Sequence, residues 1–333
     1  MCREIADRLG LELLVVRRKA GDLIDRFLQR WRNNVERYAN LECVKLILPV
    51  PTASMRFCTS EAKVAVICQE LVKRFPGQTI ISASGIRREE SPSRARAEIA
   101  EPQPKLTSKT HRTTGLNWHP ILDWKVEEVF AYLQAKGLRL HEAYTRYGSS
   151  RVSCSFCVLA SKADLRAAAG CADNHDVYRE LVDLEIKSTF AYQPGNWLGD
   201  VAPGLLTQAA RLALAEAKRK AARRASIEAR IPRHLLYTKG WPTGVPTRAE
   251  AALLAEIRRK VAATVGLRIY YTTPDSIIAR YCELIREREA KERAKVKAKG
   301  ENKAPRAEIS LFGNCTPAAL PPDELIPSAD SSR

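Results

Sequence analysis

Apolar and polar positions along the first half of the chain predict helices and strands in turn. The predicted elements are a helix over residues 3–8, an apolar strand over residues 11–16, an amphipathic helix over residues 21–38, a helix over residues 60–75, an apolar strand over residues 79–84 and a helix over residues 123–135. Strands separated by helical segments predict a mostly parallel sheet with helices on its faces. The expected fold class is therefore α/β, with a doubly wound, Rossmann-like sheet.

The second half of the chain predicts a mostly helical region. Its elements are an Ala-rich helix over residues 208–230, a helix that begins with the capping box of Thr247 and Glu250, a short strand over residues 267–272, and a helix with Pro274 in its first turn that runs toward residue 299. Beyond residue 300, Pro, Ser and Asp without periodicity predict a flexible tail. We therefore predict an α/β domain at residues 1–195, a helical domain at residues 196–299 and a tail at residues 300–333.

Charge is concentrated in the predicted helical domain. The chain has 55 Lys and Arg against 38 Asp and Glu, a net charge of +17, and residues 204–299 alone hold 22 basic and 9 acidic residues. A basic surface of this size attracts the phosphates of nucleic acid, so DNA or tRNA is a candidate partner. The alternative is that these are ordinary solvated helix faces, since no helix-turn-helix, zinc-finger or RNA-binding signature accompanies them.

The sequence lacks the apolar runs that membranes require. No run approaches the roughly 18 residues of a spanning helix, and the N-terminal MCREIADRLG has charges where a secretory signal has its apolar core. We therefore expect no membrane partner and a cytoplasmic location, where cysteines serve metal or redox chemistry more often than disulfides.

Four of the nine cysteines form a candidate metal site. Cys154 and Cys157 make a C-x-x-C pair, Cys171 follows after thirteen residues, and Cys58 is a fourth candidate upstream. Four thiolates suit a four-iron four-sulfur cluster or a structural zinc, whereas a C-x-x-C alone is equally a redox pair or two unliganded thiols. The remaining cysteines stand alone in the sequence and are assigned no role; they are Cys2, Cys43, Cys68, Cys282 and Cys315.

A second candidate site follows the strand at residues 79–84. Parallel sheets bind ligands at the carboxyl ends of their strands. The segment here is GIRREESPSR, in which Arg87, Ser91 and Arg94 are candidate contacts to an anion and Glu89 and Glu90 can hold the arginines in place. On composition alone a solvated charged turn is the alternative.

Together these motifs resemble the phosphoadenosine phosphosulfate (PAPS) reductase family of the adenine nucleotide alpha-hydrolase-like superfamily. The resemblance covers about residues 1–192 and rests on segments in the family's order: Arg56-x-Cys58-Thr59, Gly85-x-Arg87-x-x-Glu90-Ser91-x-x-Arg94, Trp118-x-Pro120-Ile121-x-x-Trp124, and a last block from His141 and Tyr144 through Gly148 and Arg151 to Cys154 and Cys157. Each segment is weak alone, whereas four in this order are fairly specific.

The resemblance implies a function in sulfur chemistry. It implies an adenine nucleotide, ATP or PAPS, with Lys63 and Arg151 as further anion contacts, and it favours iron–sulfur over zinc, because sulfur-inserting relatives in DNA phosphorothioation and tRNA thiolation use such clusters. Trp118 and Trp124 are better explained by core packing. The same holds for His141 and Tyr144, although either could reach a ligand.

The chain also departs from the family pattern. The family's Ser-Gly-Gly-x-Asp-Ser phosphate loop is not found in the sequence, so we expect that the first strand, this loop and the following helix are missing through a truncated reading frame, a mis-assigned start or a split gene. The tail of the thioredoxin-dependent reductases and the paired Cys-Cys of the iron–sulfur reductases are also not found. The function class is thus either an enzyme of sulfur transfer or reduction, or a non-catalytic nucleic-acid-binding accessory protein that has lost the phosphate loop.

Overall fold

The structure is a computed structural model that describes residues 2–301, with side chains described through residue 296. By compactness the chain divides into one unit at Met1–Ile285 and a second at Arg286–Arg333, of which the described part is helical. The helices are α1 (Cys2–Leu9), α2 (Leu23–Ala39), α3 (Phe57–Thr59), α4 (Ala65–Arg74), α5 (Pro92–Ala95), α6 (Val126–Ala135), α7 (Glu142–Thr145), α8 (Lys162–Ala169), α9 (His175–Ser188), α10 (Gln208–Glu228), α11 (Arg248–Val265) and α12 (Pro274–Glu301). The predicted tail at residues 300–333 lies outside the described residues, apart from its first two.

The described residues form one small mixed sheet. Its strands are β1 (Thr79–Ala83), β2 (Ala100–Pro102) and β3 (Thr114–Trp118), in the order β1-β3-β2. β1 runs parallel to β3 from the Thr79–Thr114 pair onward, and β2 is antiparallel to β3. The α/β class and the strand at residues 79–84 are confirmed, whereas a doubly wound sheet is not, because three strands of mixed direction do not make one.

The two faces of the sheet differ in their cover. On one face Ile80 packs with Cys68, Val72 and Leu106. Gly115 allows this close packing, because a Cβ there would lie 2.3 Å from Leu106 Cβ. On the other face Ile81 and Trp118 are 60% and 47% exposed, so the prediction that Trp118 packs in a core is wrong.

The main hydrophobic core lies among the helices instead of against the sheet. It joins side chains of α2, α8, α9, α10, α11 and α12 with the segment at residues 41–50. Tyr178 of α9, Leu214 of α10 and Ile257 of α11 are all buried in it. The predicted domain boundary after residue 195 therefore coincides with no gap in the core.

Helix starts follow the capping chemistry of the sequence. Thr247 and Glu250 form the predicted capping box of α11, and Asp22 and Asp25 form another at α2. Gly21 precedes Asp22 with φ +83°, and a Cβ there would lie 2.2 Å from the Asp25 carboxylate, so this turn needs glycine. Of the other predicted helices, those at residues 3–8, 123–135, 208–230 and from Pro274 onward are also confirmed.

Two predicted strands are wrong. Residues 11–16 form no strand, and Leu11, Leu13 and Val15 are 61%, 41% and 64% exposed. The segment has apolar, β-branched residues but no neighbouring strand to hydrogen-bond with, and pattern alone does not make a ladder. The prediction that it lies next to residues 79–84 fails for the same reason, since β1 pairs with β3.

The predicted strand at residues 267–272 is also irregular in the structure. Leu267, Ile269 and Tyr271 do pack on the core, which explains the alternating pattern. Tyr271 has φ +32°, however, and this interrupts an extended backbone.

Among the described residues, no helix is long and apolar enough to cross a bilayer.

Candidate functional site

The loop after β1 is fastened to the segment that follows β3. Ser84 N donates to Trp118 O at 2.9 Å, and Arg88 N donates to Leu122 O at 2.8 Å. The Arg88 guanidinium donates to Asp123 at 2.5 Å and to the carbonyls of Ala95 and Ala97 at 3.0 and 2.7 Å. Arg88 therefore fixes the shape of the loop, a structural role that the sequence did not distinguish from anion binding.

The predicted anion contacts lie in this loop and are engaged with its own carboxylates. Arg87, whose side chain is 14% exposed, pairs with Glu89 and lies 3.7 Å from Glu90, which also pairs with Arg94. Ser91 caps α5 by accepting from Arg94 N at 3.3 Å. The two glutamates thus hold the guanidinium groups in place, as expected, and an incoming anion would have to replace a carboxylate.

The other two predicted anion contacts lie at the C-x-x-C thiols. Lys63 Nζ donates to Cys154 Sγ at 3.1 Å, and Arg151 Nη2 donates to Cys157 Sγ at 3.6 Å. Lys63 belongs to a π-helical turn, Ser60–Val64, inserted between α3 and α4. Such turns are frequent at functional sites because the wider coil re-aims side chains. Each thiol therefore has a cation as its hydrogen-bond donor.

Three of the four predicted metal ligands lie near enough to one buried tyrosine to influence its pKa. Tyr192 donates its hydroxyl to Phe156 O at 2.7 Å. Burial raises the pKa of Tyr192, and the nearby thiols of Cys157, Cys154 and Cys58 raise it further. The sequence did not indicate Tyr192, because a tyrosine between Ala191 and Gln193 belongs to no motif.

Cys171 takes a different partner from the other three. Its thiol lies beside Tyr147 and raises the pKa of the Tyr147 hydroxyl. Cys171 and Cys154 both line a cavity of about 280 Å³, together with Arg151, Tyr147, Asp164 and His141. A larger cavity of about 730 Å³ lies between α1 and residues 137–145 and contains none of the cysteines.

The C-x-x-C thiols have hydrogen-bond donors in the structure. Within the part of the chain that the structure describes, no group of three His, Cys, Asp or Glu is arranged to hold a metal ion. The thiols of Cys154 and Cys157 instead accept hydrogen bonds from Lys63 and Arg151. Both thiols are thus hydrogen-bonded in this structure, and the iron–sulfur cluster stays a prediction.

Asp164 organises the loop that carries Arg151, although no motif of the sequence indicated it. Its carboxylate is 6% exposed and accepts from Ser150 N at 2.7 Å and from the hydroxyls of Ser149, Ser150 and Ser161 at 3.1, 3.0 and 2.8 Å. Burial opposes ionisation, but these hydrogen bonds outweigh it and lower the pKa of Asp164 to about 2. The available signal was the N-cap spacing of Ser161 and Asp164, since Ser161 caps α8.

The remaining motif residues have structural roles. His141 caps α7 by accepting from Ala143 N at 3.0 Å. Tyr144 packs edge-on against Phe130 with ring centroids 5.4 Å apart. Trp124 packs in the same way against Tyr132 at 5.5 Å. The structural interpretation of His141, Tyr144 and Trp124 is thus the better one.

The N-terminal segment is similar to a known domain family. Residues 3–160 match the phosphoadenosine phosphosulfate reductase domain. The match covers just under half of the chain, and it confirms the resemblance to the PAPS reductase family that the motifs predicted. The match contains the loop after β1, Lys63, Arg151 and the C-x-x-C pair, and it ends before Cys171.

One curated relative comes from a bacteriophage. It is described as an uncharacterized 37.8 kDa protein in the gpa 5' region of Escherichia phage 186, and it is 32% identical over 120 residues, which are 34% of this chain and 33% of the phage protein. The chain therefore spans about a third of the length of this relative. No solved structure gives a significant match.

Proposed function

We propose that this protein binds an adenine nucleotide, ATP or PAPS, by its phosphate or sulfate end and acts in sulfur transfer or reduction. One observation carries the proposal: within a PAPS reductase family domain, Lys63 and Arg151 donate to the thiols of Cys154 and Cys157. Anion contacts and sulfur nucleophiles therefore meet at one place.

The two cations make this place suited to an oxyanion. A lysine ammonium and an arginine fork are the usual protein partners of phosphate and sulfate oxygens. A phosphate or sulfate group that accepted hydrogen bonds from Lys63 and Arg151 would lie beside both thiols. A sulfur nucleophile would then be next to the group that it attacks. The loop of Arg87, Ser91 and Arg94 is the second proposed contact, reached when the nucleotide replaces Glu89 or Glu90 as partner of the arginines.

Calorimetric titration of the full chain with ATP and with PAPS tests the proposal. Lys63→Gln, Arg151→Gln and Arg87→Ala should each weaken binding by about 10- to 100-fold, which is the scale of one charge-assisted hydrogen bond. Lys109→Gln, at an exposed lysine away from the site, is the matched control and should bind normally. The proposal would be refuted if neither nucleotide bound saturably, or if all four variants bound with the affinity of the parent protein.

The metal cofactor is a separate proposal with a separate test. The proposed ligands of a four-iron four-sulfur cluster, or of zinc as the alternative, are Cys58, Cys154, Cys157 and Cys171. Their present arrangement does not hold a metal, so binding would require Lys63 and Arg151 to release the thiols and Cys171 to leave Tyr147. Protein purified and reconstituted without oxygen should then absorb broadly near roughly 400 nm, and Cys157→Ser should remove the band. A colourless protein with bound zinc would support the alternative, and a metal-free protein would reject both.

A second candidate function is a non-catalytic accessory protein that binds nucleic acid. It is favoured by the engagement of Arg87 and Arg94 with Glu89 and Glu90, which leaves the loop charge-neutralised. Nucleotide titration separates the two functions, because an accessory protein of this kind would not bind ATP or PAPS.

A further inference from the structure

A row of basic residues follows the outer face of α10. Arg223 and Arg230 follow Arg219 by four and eleven residues and Lys220 is its neighbour, so all four lie within about 100° of one another around the axis of the helix and its C-terminal extension. Leu214, Ala217 and Glu228 are buried on the opposite side. The row spans about 16 Å at the rise of an α-helix.

The row continues onto α11, which packs against α10. Glu256 of α11 accepts from Arg230 at 3.1 Å and from Lys260 at 2.6 Å, so one carboxylate connects basic residues of both helices. Arg259 lies beside Lys260 and donates to Thr272 O at 2.5 Å. We call the surface made by these residues the basic surface; its members are Arg219, Lys220, Arg223, Arg230, Arg259 and Lys260.

The basic surface has more positive charge than its own carboxylates neutralise. Arg219 pairs with Glu216 at 2.5 Å, and Glu256 serves Arg230 and Lys260. Within the described part of the chain, Lys220 and Arg223 have no carboxylate partner. Two acidic residues therefore face six basic ones, which leaves a local excess of positive charge that a polyanion can neutralise.

We propose that the basic surface binds the phosphate backbone of double-stranded DNA. A straight row of cations of this length matches several consecutive phosphates of one strand, since these follow at about 3.4 Å along the helix axis.

The composition of the surface favours a duplex over a single strand. Its six members include no aromatic side chain, and binding of unpaired bases depends on aromatic stacking. Contacts made by Lys and Arg to phosphate position a protein without reading sequence. The expected binding is therefore salt-dependent and independent of sequence, and it stands apart from the proposed nucleotide chemistry.

Fluorescence anisotropy with a labelled duplex DNA of arbitrary sequence tests the proposal across a salt series. Replacing Arg219, Lys220 and Arg223 together by Gln should weaken binding at least about tenfold and lower the slope of log K against log salt by about 2 to 3, since each phosphate contact contributes about 0.9. Gln is a good helix former at these positions, so the fold should persist. The single variant Arg223→Gln, with a slope change of about 1, keeps the test valid if the triple variant does not fold.

The control removes the same charge elsewhere. Lys19→Gln, Lys73→Gln and Lys109→Gln together lower the net charge equally at exposed positions outside the surface, and this variant should bind nearly as well as the parent. Equal losses in the two triple variants would overturn the proposal in favour of general charge attraction. Tighter binding of single-stranded DNA or of duplex RNA in the same assay would overturn the assignment to duplex DNA.

Discussion

The Lys63 ammonium lies 3.1 Å from the sulfur of Cys154, although 91 residues separate the two in the sequence. Cys154 is exposed, so reagents reach it. The ammonium donates its hydrogen bond to the atom that a thiol reagent attacks. The contact joins the turn after α3 to the C-x-x-C segment.

The first prediction is that Lys63 sets the reactivity of Cys154. Lys63→Gln should slow alkylation of Cys154 by iodoacetamide about two- to fivefold, the effect of an exposed charge pair worth up to about 1 kcal/mol. The rate is measured at one pH by mass mapping of the Cys154 peptide, and Lys109→Gln should leave it unchanged. An unaltered rate in Lys63→Gln would show that the ammonium has no influence on the sulfur.

The second prediction concerns Asp164 and acid. Its pKa is lowered in the fold to about 2 from 3.8, so it contributes stability above pH 4 that is lost as the pH falls toward 2. This contribution is about 2 kcal/mol. Asp164→Asn should therefore be less stable than the parent at neutral pH, and the difference should shrink on acidification. Urea unfolding at a series of pH values measures it.

A neighbouring aspartate is the control for this measurement. Asp173 is exposed, and Asp173→Asn should have the stability of the parent at every pH. A constant difference between Asp164→Asn and the parent from pH 7 to pH 3 would mean that the hydrogen bonds from the serines do not lower the pKa of Asp164.

What the sequence predicted well is local. Strand β1 is a run of β-branched residues closed by Gly85, and the capping box at Thr247 needs only four residues, so both could be read from neighbours in the chain. The loop after β1 was predicted for the same reason, because its position follows from the end of the strand.

What the sequence predicted poorly depends on distant partners. Strand β3 contains Gly115 and Asn117, which disfavour strands, and it exists because β1 and β2 flank it. The segment at residues 11–16 has the better strand composition but no such neighbour.

The third prediction concerns Glu185, which is 2% exposed and accepts from the backbone of Tyr192, Leu198 and Gly199 at 2.6, 2.7 and 3.1 Å. Burial raises the pKa of Glu185 to about 7 from 4.5, although the three donors oppose this rise. A raised pKa means that the stability contribution is complete below pH 4.5 and is lost as the pH rises to about 7. The loss is about 3 kcal/mol.

Replacing this carboxyl should flatten the pH dependence of stability. Glu185→Gln retains one acceptor oxygen and cannot ionise, so its unfolding free energy should vary less between pH 4.5 and 7 than that of the parent. Glu180→Gln, on the exposed side of the same helix, should behave like the parent. Parallel pH profiles for Glu185→Gln and the parent would contradict the prediction.

The last prediction concerns the uncovered face and edge of the sheet. β1 is an edge strand, and Ile81 is 60% exposed beside the 47% exposed Trp118. An uncharged edge strand with apolar side chains is a template for association, and a lysine on such a strand opposes it. Ile81→Lys should therefore raise the highest concentration at which the protein is still monomeric, which light scattering measures. The unfolding free energy should change little. Ile80→Lys is the matched change on the opposite face, where Ile80 packs with Cys68, Val72 and Leu106, and it should destabilise the fold by burying a charge. Equal aggregation of the parent and Ile81→Lys would mean that the exposed face is not the site of association.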